Sequence, residues 1–264
     1  MHKPLRIAAV AATCAVAGAA LFGSGAATAH QSTANSTHEP YNIGLLVKDI
    51  DTYYGAALDS DGVYQASPSS PYAKDLARVD AAARRDIDKA AHKAHHRGQK
   101  PAVVFDIDDT LLLSFDYERK TNYTYNSTTW ADYVARADRP AVFGSPELVE
   151  YAASKGVEVF YNSGLKESQR ASAVENLKKV GVDVNLDSAH MFLKDAVNPP
   201  AYLSGCATAA AWNCTTVQYK AGTRKHIEDL GYDIVGNFGD QYSDLDGGYA
   251  DKTYKLPNPT YFVS

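Results

Sequence analysis

The chain has 264 residues, 45% of them hydrophobic and 22% charged, the balance of an ordinary folded protein. Its formal charge of −5 offers no basic footprint for nucleic acid and no polybasic patch for anionic membranes. At this length a single α/β domain with an accessory part is the expected organisation.

Lys3 and Arg6 precede an apolar, small-residue run from Ile7 to Leu21, and Ala27-Thr28-Ala29 is an A-x-A-like cleavage site. Residues 1–29 therefore read as a secretory signal peptide on an exported protein, and their removal takes the formal charge to −7. The run is too rich in Ala and Gly for a spanning anchor. Residues 30–40 are polar and rich in Ser, Thr and Asn, which predicts a disordered leader. Two cysteines remain, Cys206 and Cys214. In oxidising surroundings an isolated nearby pair reads as a disulfide. Without a CxxC or paired histidines beside them, a zinc site is not expected.

Residues 41–100 predict a helical region, with Leu76, Val79, Ala83, Ile87, Ala90 and Ala94 at helical spacing. The segment Ser67-Pro68-Ser69-Ser70-Pro71 divides it in two, and Gly98 closes it. Ala102-Val103-Val104-Phe105 is a continuous apolar run, as in a strand buried on both faces. Ser145-Pro146-Glu147 opens a helix that Gly156 closes. A strand at Val157–Tyr161, a helix from about Glu167 to Val180, a helix at Ala221–Leu230 and a strand at Asp233–Phe238 follow. Alternating strands and helices predict a Rossmann-like parallel sheet covered on both faces, with ligands at the carboxyl ends of the strands.

Three polar clusters sit at such ends, and a fourth opens a helix. Asp106-Ile107-Asp108-Asp109-Thr110 follows the first strand, and residues i and i+2 of an extended chain point the same way. Two crowded carboxylates call for a cation and can act as nucleophile and proton carrier; the alternative is an acidic loop that caps the following helix. Gly239-Asp240-Gln241-Tyr242-Ser243-Asp244 follows the last strand. Asp106, Asp108 and Asp240 are hard oxygen ligands of the kind Mg²⁺ takes, with Asp244 as a fourth acid. Asn162-Ser163-Gly164 follows the middle strand and reads either as an anion site at a helix start or as a plain cap. Lys220, placed at a helix start, opposes the helix dipole unless an anion lies near.

In order and content these four pieces resemble the haloacid dehalogenase (HAD) superfamily, and more narrowly its acid phosphatase branch, subfamily IIIB, with bacterial class C and plant acid phosphatases. The stretches that carry the resemblance are Phe105–Leu112, Val159–Gly164, Tyr219-Lys220 with Arg224, and Asn237–Leu245. The resemblance implies a HAD-like core over residues 101–264, with a small helical insert at about 113–142 and the N-terminal helices packed on core or cap. It implies a secreted enzyme hydrolysing small-molecule phosphate monoesters with Mg²⁺, with Asp106 as the nucleophile that becomes a phosphoaspartate. Asp108 would be the acid and base, its backbone carbonyl also on the metal. Asp240 and Asp244 would be acidic metal partners, and Thr110, Ser163, Gly164 and Lys220 would hold the phosphoryl group or its loop. Phosphotransfer to an alcohol, or a non-catalytic storage or binding role on the same scaffold, are the alternatives. Two positions depart from the branch: Asp109 stands where Glu is usual, and Leu165 where many members have Arg. Phe115, Tyr117, Tyr123, Tyr125, Trp130 and Tyr133 cluster in the insert, and read first as packing and second as a wall against organic leaving groups.

Overall fold

Helix α1 (Ile43–Tyr54) and helix α2 (Pro71–Arg97) flank a small antiparallel hairpin of β1 (Ala57–Leu58) and β2 (Tyr64–Gln65). The computed structural model describes residues 40–264, apart from the side chains at 95–97. The signal peptide expected at 1–29 and the leader up to residue 39 lie outside the described residues. Ser70 caps α2 by accepting from the Ala73 N–H at 3.1 Å, Pro71 opens its first turn, and Gly98 ends it with a φ of 65°.

There follow β3 (Lys100–Phe105), α3 (Phe115–Lys120), α4 (Ser127–Ala135), α5 (Ser145–Ser154), β4 (Glu158–Lys166), α6 (Arg170–Lys179) and β5 (Met191–Lys194). Next are the hairpin β6 (Ala207–Thr208) and β7 (Ala211–Trp212), α7 (Thr216–Asp229), β8 (Tyr232–Gly239), α8 (Tyr242–Leu245) and β9 (Thr253–Lys255). The main sheet runs β5-β4-β3-β8-β9, and each neighbouring pair is parallel.

Side-chain alternation along the buried strands builds two cores. Val103, Phe105, Val159, Tyr161 and Phe238 face Leu76, Ala83 and Ile87 of α2, Leu148 and Val149 of α5, and Ala173 and Leu177 of α6. Ala102, Val104, Phe160 and Ile234 face the other way, onto Ile227 of α7. The rings of Phe105, Phe238 and Tyr254 stack across three strands, with centroids 4.4 and 4.5 Å apart. This is the Rossmann-like α/β architecture that the strand and helix alternation predicts, with further helices α3 and α4 in the stretch after β3.

Three local expectations differ. The region 41–100, expected to be helical and divided only at 67–71, carries the β1–β2 hairpin between its two helices. The strand expected to end at Tyr161 continues to Lys166, because β5 pairs with it again at Lys166 after a register shift. The helix expected from Ala221 begins at Thr216. There Thr215 and Gln218 form a reciprocal cap: the Thr215 hydroxyl accepts from the Gln218 N–H, and the Gln218 amide oxygen accepts from the Thr215 N–H. Cys206 and Cys214 form the expected disulfide, with Cα atoms 4.7 Å apart, across the base of the β6–β7 hairpin. Among the described residues no helix is long and apolar enough to cross a membrane.

Candidate active site

The first element of the site is the exit from β3. The Asp106 N–H still donates to Phe238 O at 2.9 Å, so Asp106 leaves the sheet locked against β8. The chain then folds back: the Leu111 and Leu112 N–H groups donate to Ile107 O, and Asp109 N–H to Leu112 O, with Asp109 at a φ of 52°. The left-handed turn at Asp109 is secured by its own carboxylate, which accepts from the Ser114 N–H at 2.8 Å and from the Ser114 hydroxyl. Asp109 therefore holds the loop shut while Asp106 and Asp108 leave on the cleft side.

The second element is the exit from β8. Gly239 is required because a Cβ there would lie 2.4 Å from the Cβ of Asp244. Asp244 folds back over the strand end and accepts from the Gln241 N–H at 3.0 Å. Asp240 accepts from the Gln241 and Asn258 side-chain amides, each at 2.7 Å. Arg224 of α7 is fully buried and donates to the backbone carbonyls of Asp244, Asp246 and Gly248, which fixes the loop that carries these acids.

Lys220 joins the two elements. Its Nζ lies 2.5 Å from Asp106 Oδ1 and 2.8 Å from Asp244 Oδ1, and it donates to Asn162 O of β4. The residue sits in the second turn of α7, within the helix rather than at its start. Carboxylate oxygens of Asp106, Asp240 and Asp244, all buried, lie within 4.8 Å of one another. With all three ionised, the acids against one ammonium would leave an excess of two negative charges in a desolvated space. That excess fits a hard divalent cation such as Mg²⁺.

The electrostatics follow from this crowding. Burial pushes the Asp106 carboxyl well above the usual range; Lys220 pulls it back, and Asp244, Asp240 and Asp108 push it up again. Asp240 is pushed up to about 7 by burial, then by Asp244 and Asp109. Burial acts to lower Lys220, but Asp106 and Asp244 outweigh it and hold the ammonium charged.

The remaining candidates are placed less uniformly. The Asp108 carboxylate is outside the triad of acids and pairs with Arg139 Nη1 at 2.5 Å. Gly164 lies on the cleft wall within β4. Ser163, beside it, is fully buried, and its hydroxyl accepts from the Leu165 N–H. The β4 continuation to Lys166 places both residues in a strand and not at a helix start. Thr110 is also buried and lines a separate small cavity with Ser145 and Leu148, while its carbonyl accepts from the Ser145 hydroxyl at 2.7 Å. Leu165 packs into the core.

Above the acids lies a cleft of about 610 Å³. The insert aromatics divide between the two readings made of them: Phe115, Tyr117 and Tyr133 are buried, whereas Tyr123, Tyr125 and Trp130 line the cleft. Trp212 and Cys214 of the disulfide hairpin form another part of its wall, and Tyr261 and Phe262 a third. Sequence reasoning missed Arg139, Gln241, Asn258 and Glu118. Glu118 lines the cleft and is pushed up to about 8 by burial and then by Asp109. For Arg139 and Asn258 no periodicity or motif gave a signal, because both lie in irregular chain brought in by tertiary packing.

The sequence pattern of the HAD superfamily, subfamily IIIB (acid phosphatase), matches residues 63–264. The stem 28 kDa glycoprotein of Glycine max is 33% identical over 169 residues, which are 62% of this chain and 61% of that protein. Vegetative storage protein 1 of Arabidopsis thaliana is 32% identical over 164 residues, 61% of this chain and 54% of that protein. The matched stretch thus spans less than two thirds of either relative. The crystal structure of the class C acid phosphatase from Bacillus anthracis with tungstate bound shares the fold, with a TM-score of 0.53 and 24% identity, over 70% of this chain and 78% of that one. The pattern match takes in the strand ends that bear Asp106 and Asp240 and the helix that bears Lys220, and by it the chain belongs to the HAD superfamily, subfamily IIIB, the acid phosphatases.

Proposed function

We propose that the chain is an exported, Mg²⁺-dependent phosphomonoesterase with Asp106 as its nucleophile. The observation that carries this reading is the meeting of Asp106, Asp240 and Asp244 with the Lys220 ammonium at the carboxyl edge of the sheet. An Asp106 oxygen attacks the phosphorus of a small monoester. The ester P–O bond breaks, its electron pair leaves on the organic oxygen, and Asp108 supplies that oxygen with a proton. Water then gives a proton to Asp108 and attacks the phosphorus, the aspartyl P–O bond breaks, and phosphate leaves with Asp106 restored. Lys220 offsets the repulsion between the anionic nucleophile and the anionic ester. Gly164 presents backbone to the cleft, while Ser163 and Thr110 shape the strand and loop behind it.

Asp106, Asp240 and Asp244, with the Asp108 carbonyl that the family resemblance adds, would hold Mg²⁺, which when bound supplies positive charge opposite the phosphoryl oxygens. Export rests on the reading of residues 1–29 and on the disulfide, a bond that persists in oxidising compartments.

The test is turnover of 4-nitrophenyl phosphate by purified, disulfide-intact protein. Mg²⁺ should support it, EDTA should abolish it, and Asp106→Asn should lower it by about a thousandfold or more while the protein stays folded. A full rate for Asp106→Asn would remove Asp106 from the role. The names of plant relatives that are storage proteins favour a second reading, a storage or binding protein on the same scaffold. Absence of turnover for any monoester with Mg²⁺ would select it. Phosphotransfer is the same chemistry with an alcohol in place of water, and added glycerol would divert product to glycerol phosphate.

A further inference from the structure

Arg139 is one of the two largest fully buried side chains among the described residues, and its guanidinium is spent on a single carboxylate oxygen. Nη1 donates to Asp108 Oδ1, whereas Nε and Nη2 are buried with no hydrogen-bond partner. The guanidinium lies 5.5 Å from the centre of the Trp130 ring, on the cleft wall. Its backbone is clipped from both sides by Asn176 of α6: the Arg139 N–H donates to Asn176 Oδ1 at 3.0 Å, and Asn176 Nδ2 donates to Arg139 O at 2.8 Å. A buried cation with donors unused is a poor stabiliser, and an apolar side chain of similar volume would serve the fold as well or better. Asp108, by contrast, is partly exposed and lines the cleft.

We propose that Arg139 is the positioning residue for Asp108. The inference rests on the phosphatase reading and deepens it. Arginine has donors and no acceptor, so the oxygen it holds cannot carry the proton that Asp108 transfers. Oδ1 is thereby committed to Arg139, and Oδ2 is the oxygen left to face the ester. In the first step the Oδ2–H bond breaks and the leaving oxygen gains the proton as the ester P–O bond breaks. The carboxylate left behind stays paired with Arg139. In the second step Oδ2 takes the proton of the attacking water. Orientation of this kind matters in proportion to the help the leaving group needs: an alkoxide depends on the proton, and 4-nitrophenolate departs without it.

The experiment is a leaving-group series on Arg139→Met and Arg139→Lys in the presence of Mg²⁺, with alkyl phosphates at one end and 4-nitrophenyl phosphate at the other. For Arg139→Met, kcat/KM should fall about 100-fold on alkyl esters and only a few-fold on 4-nitrophenyl phosphate. Arg139→Lys, which keeps a cationic donor, should recover part of the alkyl rate. The melting temperature of Arg139→Met should match or exceed that of the parent, since the Asn176 clip is made by backbone. An equal loss on both ester classes, no loss on either, or a collapse of the fold in the Met variant with the Lys variant uniformly impaired would each overturn the assignment. A parent protein that hydrolyses none of the esters would overturn the phosphatase reading, and this inference with it, whereas an active parent whose Arg139 variants lose both ester classes equally would defeat Arg139 alone.

Discussion

Asp106, Asp240 and Glu118 each bind a proton more tightly in the folded chain than in an unfolded one, because burial penalises their charged forms. The stability they contribute is therefore full below the ordinary carboxylate range, about pH 4, and is lost as pH rises through about 7 for Asp240 and about 8 for Glu118. The surface acids whose carboxyls are lowered, such as Asp86 and Asp187, act below that window. Melting temperatures of EDTA-treated protein should accordingly fall from pH 5 to pH 8. Mg²⁺ should restore more of the loss at pH 8 than at pH 5. A flat profile in EDTA would contradict the crowding of uncompensated acids. At this scale Asp106, Asp240 and Asp244 were legible, because they follow apolar strands, whereas Lys220 was legible only through its place in the ordered motifs that carry the family resemblance. Arg139 was not. Its place beside Asp108 depends on Asn176, 37 residues away, and no local pattern encodes that hydrogen bond.

Strands and helices set where these groups point. Gly239 shows how little slack the elements leave, since an added methyl would meet Asp244 Cβ at 2.4 Å. Gly239→Ala should push Asp244 off Lys220 and cost about 1–3 kcal/mol of stability. It should also weaken Mg²⁺ binding, read by calorimetric titration, and lower turnover by about tenfold or more. Normal metal affinity in that variant would mean that Asp244 does not need its present position. The apolar runs announced β3 and β8 in the sequence, and Gly98, Gly156 and Gly231 announced the ends of helical segments. Where Thr215 takes the cap, or β5 reaches Lys166, the boundary is set by a side-chain exchange or a partner strand, and single-segment patterns place it several residues away.

For the molecule as a whole, a parallel sheet gathers every strand's carboxyl end on one side, and this explains why fold and site were legible together. The cleft wall is a looser part of that plan. Trp212 and Cys214 reach it on a two-residue-stranded hairpin closed by the Cys206–Cys214 bond. Such a short closed loop contributes about 2–3 kcal/mol in the chain-entropy model. Reduction by dithiothreitol should lower the melting temperature and raise KM for bulky esters, with kcat for 4-nitrophenyl phosphate changed much less. A fall in kcat with KM constant would show instead that the hairpin supports the acids themselves.

The bond between Lys220 and Asp106 spans 114 residues of chain. Contacts of that separation form late, after the intervening loops have closed. Recovery of the proposed phosphatase turnover after dilution from denaturant should therefore come late in refolding, and far-ultraviolet ellipticity, which follows helices formed locally, should return ahead of it.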